Sequence, residues 1–188
     1  MEEKMLIDGR SVEEKAVLQV AELMAAAART APKAHGYDNL EVLILTGEEK
    51  AALAAEMRRI CEEIGAPFFG RDADNVDAAA AVVLMGAKNA PIGLGECRYC
   101  GFENCGATVK AQGHCAFNNV DLGIAMGSAV SVASAHKIDS RIFYTAGKAA
   151  LQLNYFPPKV KVAFGIPLSV SAKSPFHDRQ PLAPFTGK

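Results

Sequence analysis

Cys97, Cys100, Cys105 and Cys115 are the residues of this chain whose type and spacing could do chemistry. They lie in the run GECRYCGFENCGATVKAQGHC, with the spacing C-x2-C-x4-C-x9-C. Four of the chain's five cysteines fall within nineteen positions. Soft anionic thiolates clustered in this way converge on a metal ion or an iron–sulfur cluster. A tetrahedral zinc held by four cysteines would also use them, although zinc sites more often carry two C-x2-C pairs and only one is present. Four unliganded thiols in a buried loop is the third reading. His114 is an alternative to Cys115 as the fourth ligand. Gly101 and Gly106 each follow a cysteine directly, where glycine lets backbone N–H groups turn towards cluster sulfurs.

The elements that must position this loop follow from periodicity. Ser11 and Glu14 read as a capping box for a helix carrying Val12, Ala16, Val20, Leu23, Met24 and Ala27, running to about Arg29. Leu40 to Leu45 reads as a buried strand. Thr46 and Glu49 repeat the capping pattern before a helix with Leu53, Met57, Ile60, Cys61 and Ile64 on one stripe, where Cys61 is a core residue. Ala80 to Met85 is a second buried strand. The cysteine loop, residues 86–116, comes next; a loop of that length is usually functional. Phe117 to about His136 returns to helix and is rich in Gly, Ala and Ser. Glycine inside a helix costs about 1 kcal/mol relative to alanine, so a close neighbour, a subunit or a flat cofactor is expected to compensate. Arg141 to Tyr144 is a short strand, Gly147 to Leu153 a short helix, and Val160 to Gly165 a third strong strand. The tail from Ile166 holds four prolines and no period, and is expected either to cross a neighbouring subunit or to be disordered. Helices covering a central sheet in this order make an α+β domain.

Bulk properties exclude several classes. A formal net charge of -1 leaves no basic footprint for nucleic acid. No apolar run reaches the length of a membrane span, and the acidic opening MEEKMLIDGR lacks the core of a signal peptide. The expected location is cytoplasmic, where thiols stay reduced and bind metal rather than pair. The remaining polar residues carry less. Asn118, Asn119 and Asp121 open the long helix and read as capping residues, or as donors and acceptors for a cofactor or the cluster loop. Gly147 and Lys148 echo a phosphate loop but lack its second glycine and its Ser or Thr.

The pattern Cys-x2-Cys-Gly-x3-Cys resembles the four-iron cluster domain of corrinoid iron–sulfur proteins and related electron-transport subunits. There the fourth cysteine usually lies further away than Cys115 does here. Residues 28–45, ARTAPKAHGYDNLEVLIL, resemble the nitroreductase segment that leaves its first helix through Ala-Pro into a strand, and residues 119–167, closing on Gly165-Ile166-Pro167, resemble that fold too. The whole chain is thereby similar to the family of uncharacterised prokaryotic proteins described as containing a ferredoxin domain (domain of unknown function 2148).

The resemblance implies a nitroreductase-like α+β fold over residues 1–188, with a central sheet flanked by helices and an inserted ferredoxin-like loop at 86–116. It implies a four-iron, four-sulfur (4Fe–4S) cluster on Cys97, Cys100, Cys105 and Cys115, and a homodimer with flavin mononucleotide (FMN) at the subunit interface. The flavin is where the sequence departs: only Arg10 and Ser11 echo the usual arginine-rich phosphate grip. Arg29 and Lys33 could rebuild a flavin-phosphate site, or simply complement the dipole of a solvated helix end. The expected function is an iron–sulfur oxidoreductase or electron-transfer protein with an unknown redox partner. The rival expectations are a flavin-free redox sensor or carrier, and a zinc-stapled binding module.

Overall fold

Strand β2, Ala81–Lys88, decides the architecture because it is apolar on both faces and almost wholly buried. Alternation sends Ala81, Val83, Met85 and Ala87 to one side and Val82 and Leu84 to the other. A strand buried on both faces needs a helical layer on each. In the computed structural model, which describes residues 6–178, both layers are present. Helices α1 (Arg10–Thr30) and α5 (Ala116–Ala135) cover one face. Helices α2 (Gly47–Ile64), α3 (Pro67–Ala78) and α6 (Tyr144–Gln152) cover the other. The short helix α4 (Cys105–Lys110) lies in the excursion between β2 and α5.

The sheet is antiparallel throughout, in the order β1-β2-β4-β3, with β1 at Leu40–Leu45, β3 at Asp139–Ser140 and β4 at Val160–Ser169. Among the described residues no helix is long and apolar enough to cross a membrane.

Several elements differ from the sequence expectation, each for a physical reason. Ser11 does not cap α1; its hydroxyl donates to the Asp8 carbonyl at 2.6 Å, and the Asp8 carboxylate accepts from the Arg10 N–H at 3.2 Å, so the helix starts two residues earlier, with Gly9 at the N-cap. Its buried stripe is Val17, Val20, Ala21, Met24 and Ala28, which leaves Val12 and Leu23 on the surface. Thr46 stands at the N-cap of α2 without a side-chain capping bond. The strand expected at Arg141–Tyr144 is instead β3 followed by a single bridge from Phe143 to Gly165.

Helix α3 was not anticipated, and Phe69, Ala73 and Val76 hold it to the core. Strand β4 continues through Pro167. Gly165 exchanges both backbone bonds with Phe143, so the like-facing Pro167 presents its missing N–H to the same side. The ladder is interrupted there, between Ser140 and Phe143, and no donor is needed. The tail contributes Phe176 to the core, fully buried with its ring edge-on to Phe143. The rest of the tail, from residue 179, lies outside the described residues.

Candidate metal centre

The cysteine excursion leaves the sheet at Asn89, just past β2, and returns at Cys115. Two asparagines fasten its base. The Asn89 side chain donates to the Gly113 carbonyl at 2.8 Å and accepts from the Cys115 N–H at 3.4 Å, while its own N–H donates to the Lys159 carbonyl at 2.8 Å. Asn118, in the first turn of α5 and 3 % exposed, accepts from the Ala90 N–H at 3.0 Å. Both ends of the loop are thus tied to regular structure by side-chain amides.

Each cysteine has a distinct local setting. Cys97 and Cys100 flank a tight turn in which the Gly101 N–H donates to the Arg98 carbonyl at 2.9 Å. Gly101 has φ +82°, a conformation that favours glycine. Cys105 is the first residue of α4, which Asn104 caps by accepting from the Ala107 N–H at 2.9 Å. Cys115 is the N-cap residue of α5 and is 7 % exposed, whereas the other three are half-buried.

The excursion brings all four cysteines onto one cavity of about 20 Å³, whose remaining wall includes Pro91, Ile92, Phe102, Thr108 and Phe117. Four positions spread over nineteen residues therefore share one space. Thr108 is 1 % exposed, and its hydroxyl lies 3.2 Å from the Cys100 sulfur. That hydroxyl, followed by backbone N–H groups at Phe102 and Cys100, holds the Cys100 thiol below the usual cysteine range. Among the described residues no three His, Cys, Asp or Glu side chains converge tightly enough to hold a single metal ion.

The other sequence candidates lie elsewhere. His114 is exposed and lines a separate cleft of about 530 Å³, while its neighbour Cys115 lines the cysteine cavity. Lys33 caps the C-terminus of α1, its ammonium donating to the carbonyls of Arg29 at 2.7 Å, Ala31 at 2.9 Å and Ala28 at 3.2 Å. The Arg29 guanidinium pairs with Asp38 and donates to the Leu40 carbonyl at 3.0 Å. Neither lines the cysteine cavity.

Asn118 does not cap α5 but meets the cluster loop at Ala90, the second of its two expected roles, and Asp121 fills neither. The Asp121 carboxylate, 4 % exposed, accepts from the Ala34 N–H at 3.1 Å and ties α5 to the turn after α1. Cys61 packs half-buried against the core, as its helical stripe suggested. Sequence reasoning missed Asn89 and Thr108, whose roles depend on partners that no local pattern announces. Asn104 could have been found, since a helix-capping residue type directly precedes Cys105.

Residues 111–179 match the family described as uncharacterised protein containing a ferredoxin domain (DUF2148). An uncharacterised protein of Archaeoglobus fulgidus is 40 % identical over 186 residues, covering 94 % of this chain and 99 % of its own length. The chain belongs to this ferredoxin-domain family. The segment matched to the DUF2148 description includes Cys115 but not the other three cysteines of the cavity.

The fold of this DUF2148 protein is nitroreductase-like. A putative nitroreductase from Desulfovibrio desulfuricans, solved in complex with FMN, superposes with a TM-score of 0.57 at 14 % identity, covering 97 % of this chain and 89 % of that one. A nitroreductase family protein from Clostridium novyi NT gives 0.55 at 16 % identity, covering 89 % and 77 %. At such identities the likeness concerns the fold.

Proposed function

We propose that this chain is an iron–sulfur redox protein in which Cys97, Cys100, Cys105 and Cys115 hold a four-iron cluster on the excursion inserted between β2 and α5, residues 89–115 of the expected 86–116 loop. The observation that carries the reading is the sharing of one cavity by all four cysteines. A tetrahedral zinc would draw its sulfurs to about 3.8 Å from one another, given Zn–S bonds of about 2.3 Å. A cubane holds its cysteine sulfurs wider, because each binds a different iron. Four cysteines lining one cavity supply the ligand number that a cubane needs, and the single C-x2-C pair is not the double pair that zinc sites more often carry.

The cavity is small, so seating a cluster requires the turn carrying Cys97 and Cys100 to move outward. That segment has no regular secondary structure to oppose the movement. A bound cluster would supply one-electron chemistry. The chain's own contribution is to fix the sulfurs, to hold the Thr108 hydroxyl 3.2 Å from the Cys100 sulfur, and to screen the buried side with Ile92, Phe102 and Phe117.

A homodimer is part of this reading. Helix α5 buries Leu122, Ala125, Ala129 and Ala133 but presents Val120, Gly123, Ile124, Gly127 and Ser131 outward. Gly123 and Gly127 have nothing within 4 Å of where a side chain would begin, so nothing in the described chain compensates their cost to the helix. A second subunit seated on this face would do so.

An FMN site would have to be made without Arg29 and Lys33 as they stand, since both are engaged by Asp38 and by backbone carbonyls. The flavin expectation therefore rests on the fold alone, and a cluster-only carrier is the form of the proposal that these residues favour.

Anaerobic purification with metal, sulfide and flavin analysis tests all of this. The expected result is about four irons with matching sulfide per chain and broad absorbance near roughly 400 nm. Stoichiometric zinc without iron would overturn the reading and leave a structural staple.

A further inference from the structure

The cleft that His114 lines stands back to back with the cysteine cavity, and Pro91 forms part of both walls. His114 and Cys115 are adjacent in the chain, with Cα atoms about 3.8 Å apart. The two spaces are therefore separated by little more than one residue. Lys159 and Lys161 line the cleft from the start of β4, both exposed, and none of the described residues lining it is a carboxylate. On a chain whose formal net charge is -1, this is a local concentration of positive charge.

Asn89 connects the two sides. Its side chain receives the Cys115 N–H and its backbone N–H donates to the Lys159 carbonyl. Besides the peptide bond to His114, a hydrogen-bonded route from the Cys115 backbone to Lys159 runs through that residue.

We infer that the cleft bounded by Lys159, Lys161 and His114 is the docking surface for a small one-electron carrier protein with a carboxylate-rich face. The inference rests on the cluster reading above. Opposite charge steers such a partner to the cleft, and the encounter loses strength as salt screens it. Docked there, the carrier stands beside the most buried of the four cysteines. One electron leaves the reduced carrier, which is oxidised by one unit, and arrives on the oxidised cluster, which is reduced by one unit. No proton moves and no bond forms or breaks. The exposed apolar and amide groups beside the lysines, Pro158, Val109 and Gln112, provide the short-range contact that a purely ionic encounter lacks.

The test uses an acidic two-cluster bacterial ferredoxin as probe, with binding measured by isothermal titration calorimetry on the full-length protein. Binding to the unaltered protein should weaken by about tenfold or more between 50 and 300 mM salt. The double variant Lys159→Glu/Lys161→Glu should weaken it by roughly thirtyfold at low salt, while Lys148→Glu, on the exposed side of α6, should leave it unchanged. Lys161→Glu alone serves as the milder variant, and circular dichroism checks the fold of each. Absence of ferredoxin binding overturns the inference, as does affinity that the double variant leaves intact. Binding of inorganic pyrophosphate in the cleft, with ferredoxin unable to compete for it, overturns it in favour of a small-anion site. Calorimetry needs no intact cluster, so iron and sulfide analysis of the same preparations separates the two failures. Iron-free protein with salt-dependent binding refutes the cluster, and iron-loaded protein with indifferent lysines refutes the docking surface.

Discussion

Replacing Gly147 by alanine should destabilise the whole protein through a clash that no side-chain rotation can relieve. A Cβ at this position would lie 1.8 Å from the Ala163 carbonyl oxygen, 2.1 Å from its carbon and 2.5 Å from the Phe164 nitrogen. All three atoms belong to the backbone of β4, so the strand or α6 must move. Restoring even a 3.0 Å contact demands a retreat of more than 1 Å. That retreat opens the interface of α6 with β4, strains the backbone bridge between Phe143 and Gly165, and pulls Thr145 away from the buried Asp72 carboxylate it donates to at 2.9 Å. Overpacking usually costs about 1–3 kcal/mol, and a rigid backbone neighbour places this substitution at the upper end, near about 3 kcal/mol. For a chain of this length that corresponds to a fall in Tm of about 6–12 °C. Anaerobic thermal melts followed by circular dichroism would measure it. A variant melting within about 2 °C of the unaltered protein would refute the reasoning, because it would mean that α6 does not lie against β4 as closely as described.

Gly127→Ala provides the opposite case, since nothing lies within 4 Å of it. An isolated α5 would gain up to about 1 kcal/mol, so the proposed dimer predicts instead a weaker association by sedimentation, and a rise in Tm with unchanged mass would remove α5 from the interface. Thr108→Val removes the hydroxyl 3.2 Å from the Cys100 sulfur. In the proposed cluster, a net loss of about 1 kcal/mol against the more negative reduced state would lower the potential by about 40 mV in a titration followed by electron paramagnetic resonance; an unmoved potential would show that Thr108 serves only the Asn104 carbonyl, to which it donates at 3.2 Å. Tyr155 donates to the Glu49 carbonyl at 3.1 Å, and burial first, then its contacts with Glu49, push its pKa up to about 12. Its raised folded value makes its contribution to stability complete below about pH 10 and lost as pH climbs towards 12, so Tyr155→Phe should flatten alkaline unfolding in that window, and an unaltered alkaline limb would discount the group. Cys100→Ala should increase amide exchange between residues 89 and 115 while the sheet stays protected; global unfolding would show that the site supports the entire domain.

Much of the scaffold was legible because its signals are local and periodic. The strand at Leu40–Leu45, the buried run of β2 and the helices on either side of β1 follow from apolar spacing alone. What escaped depends on contacts distant in sequence. Helix α3 contains Gly70, Asp72 and Asn75, poor helix formers, and persists because Phe69, Ala73 and Val76 reach the core and Asp72 meets Thr145 seventy-three positions away. Pro167 suggested a strand end, and only the interruption of the neighbouring ladder explains why β4 runs through it. Phe176 sits in a proline-rich stretch without a period, so nothing in its surroundings marks it as core. Asp121 has the residue type of a helix cap, and its actual partner, Ala34, is eighty-seven positions away. Gly147 has the clearest lesson. Beside Lys148 it looked like a fragment of a phosphate loop, and its reason is the approach of one backbone to another.

The same distinction between rooted and unrooted residues bears on how the cysteines divide their work. Cys115 begins a twenty-residue helix, is nearly buried, and has its N–H held by Asn89. The N-terminus of α5 favours negative charge beside it, as an anionic thiolate cluster would provide. Cys105 begins a capped helix of its own. Cys97 and Cys100 stand on a turn with little support beyond the Thr108 contact. The frame at the loop's base is thus built of protein–protein hydrogen bonds, and only the outer turn is left for a metal group to organise. Under the cluster proposal, removal of the metal group would therefore release Cys97 and Cys100 first and leave Cys105 and Cys115 close to their present positions. The short nine-residue interval before Cys115, which departs from the pattern of corrinoid iron–sulfur proteins, then has a structural reason. It is the length needed to pass through α4 and return to the N-terminus of α5, where Cys115 is held by the fold itself.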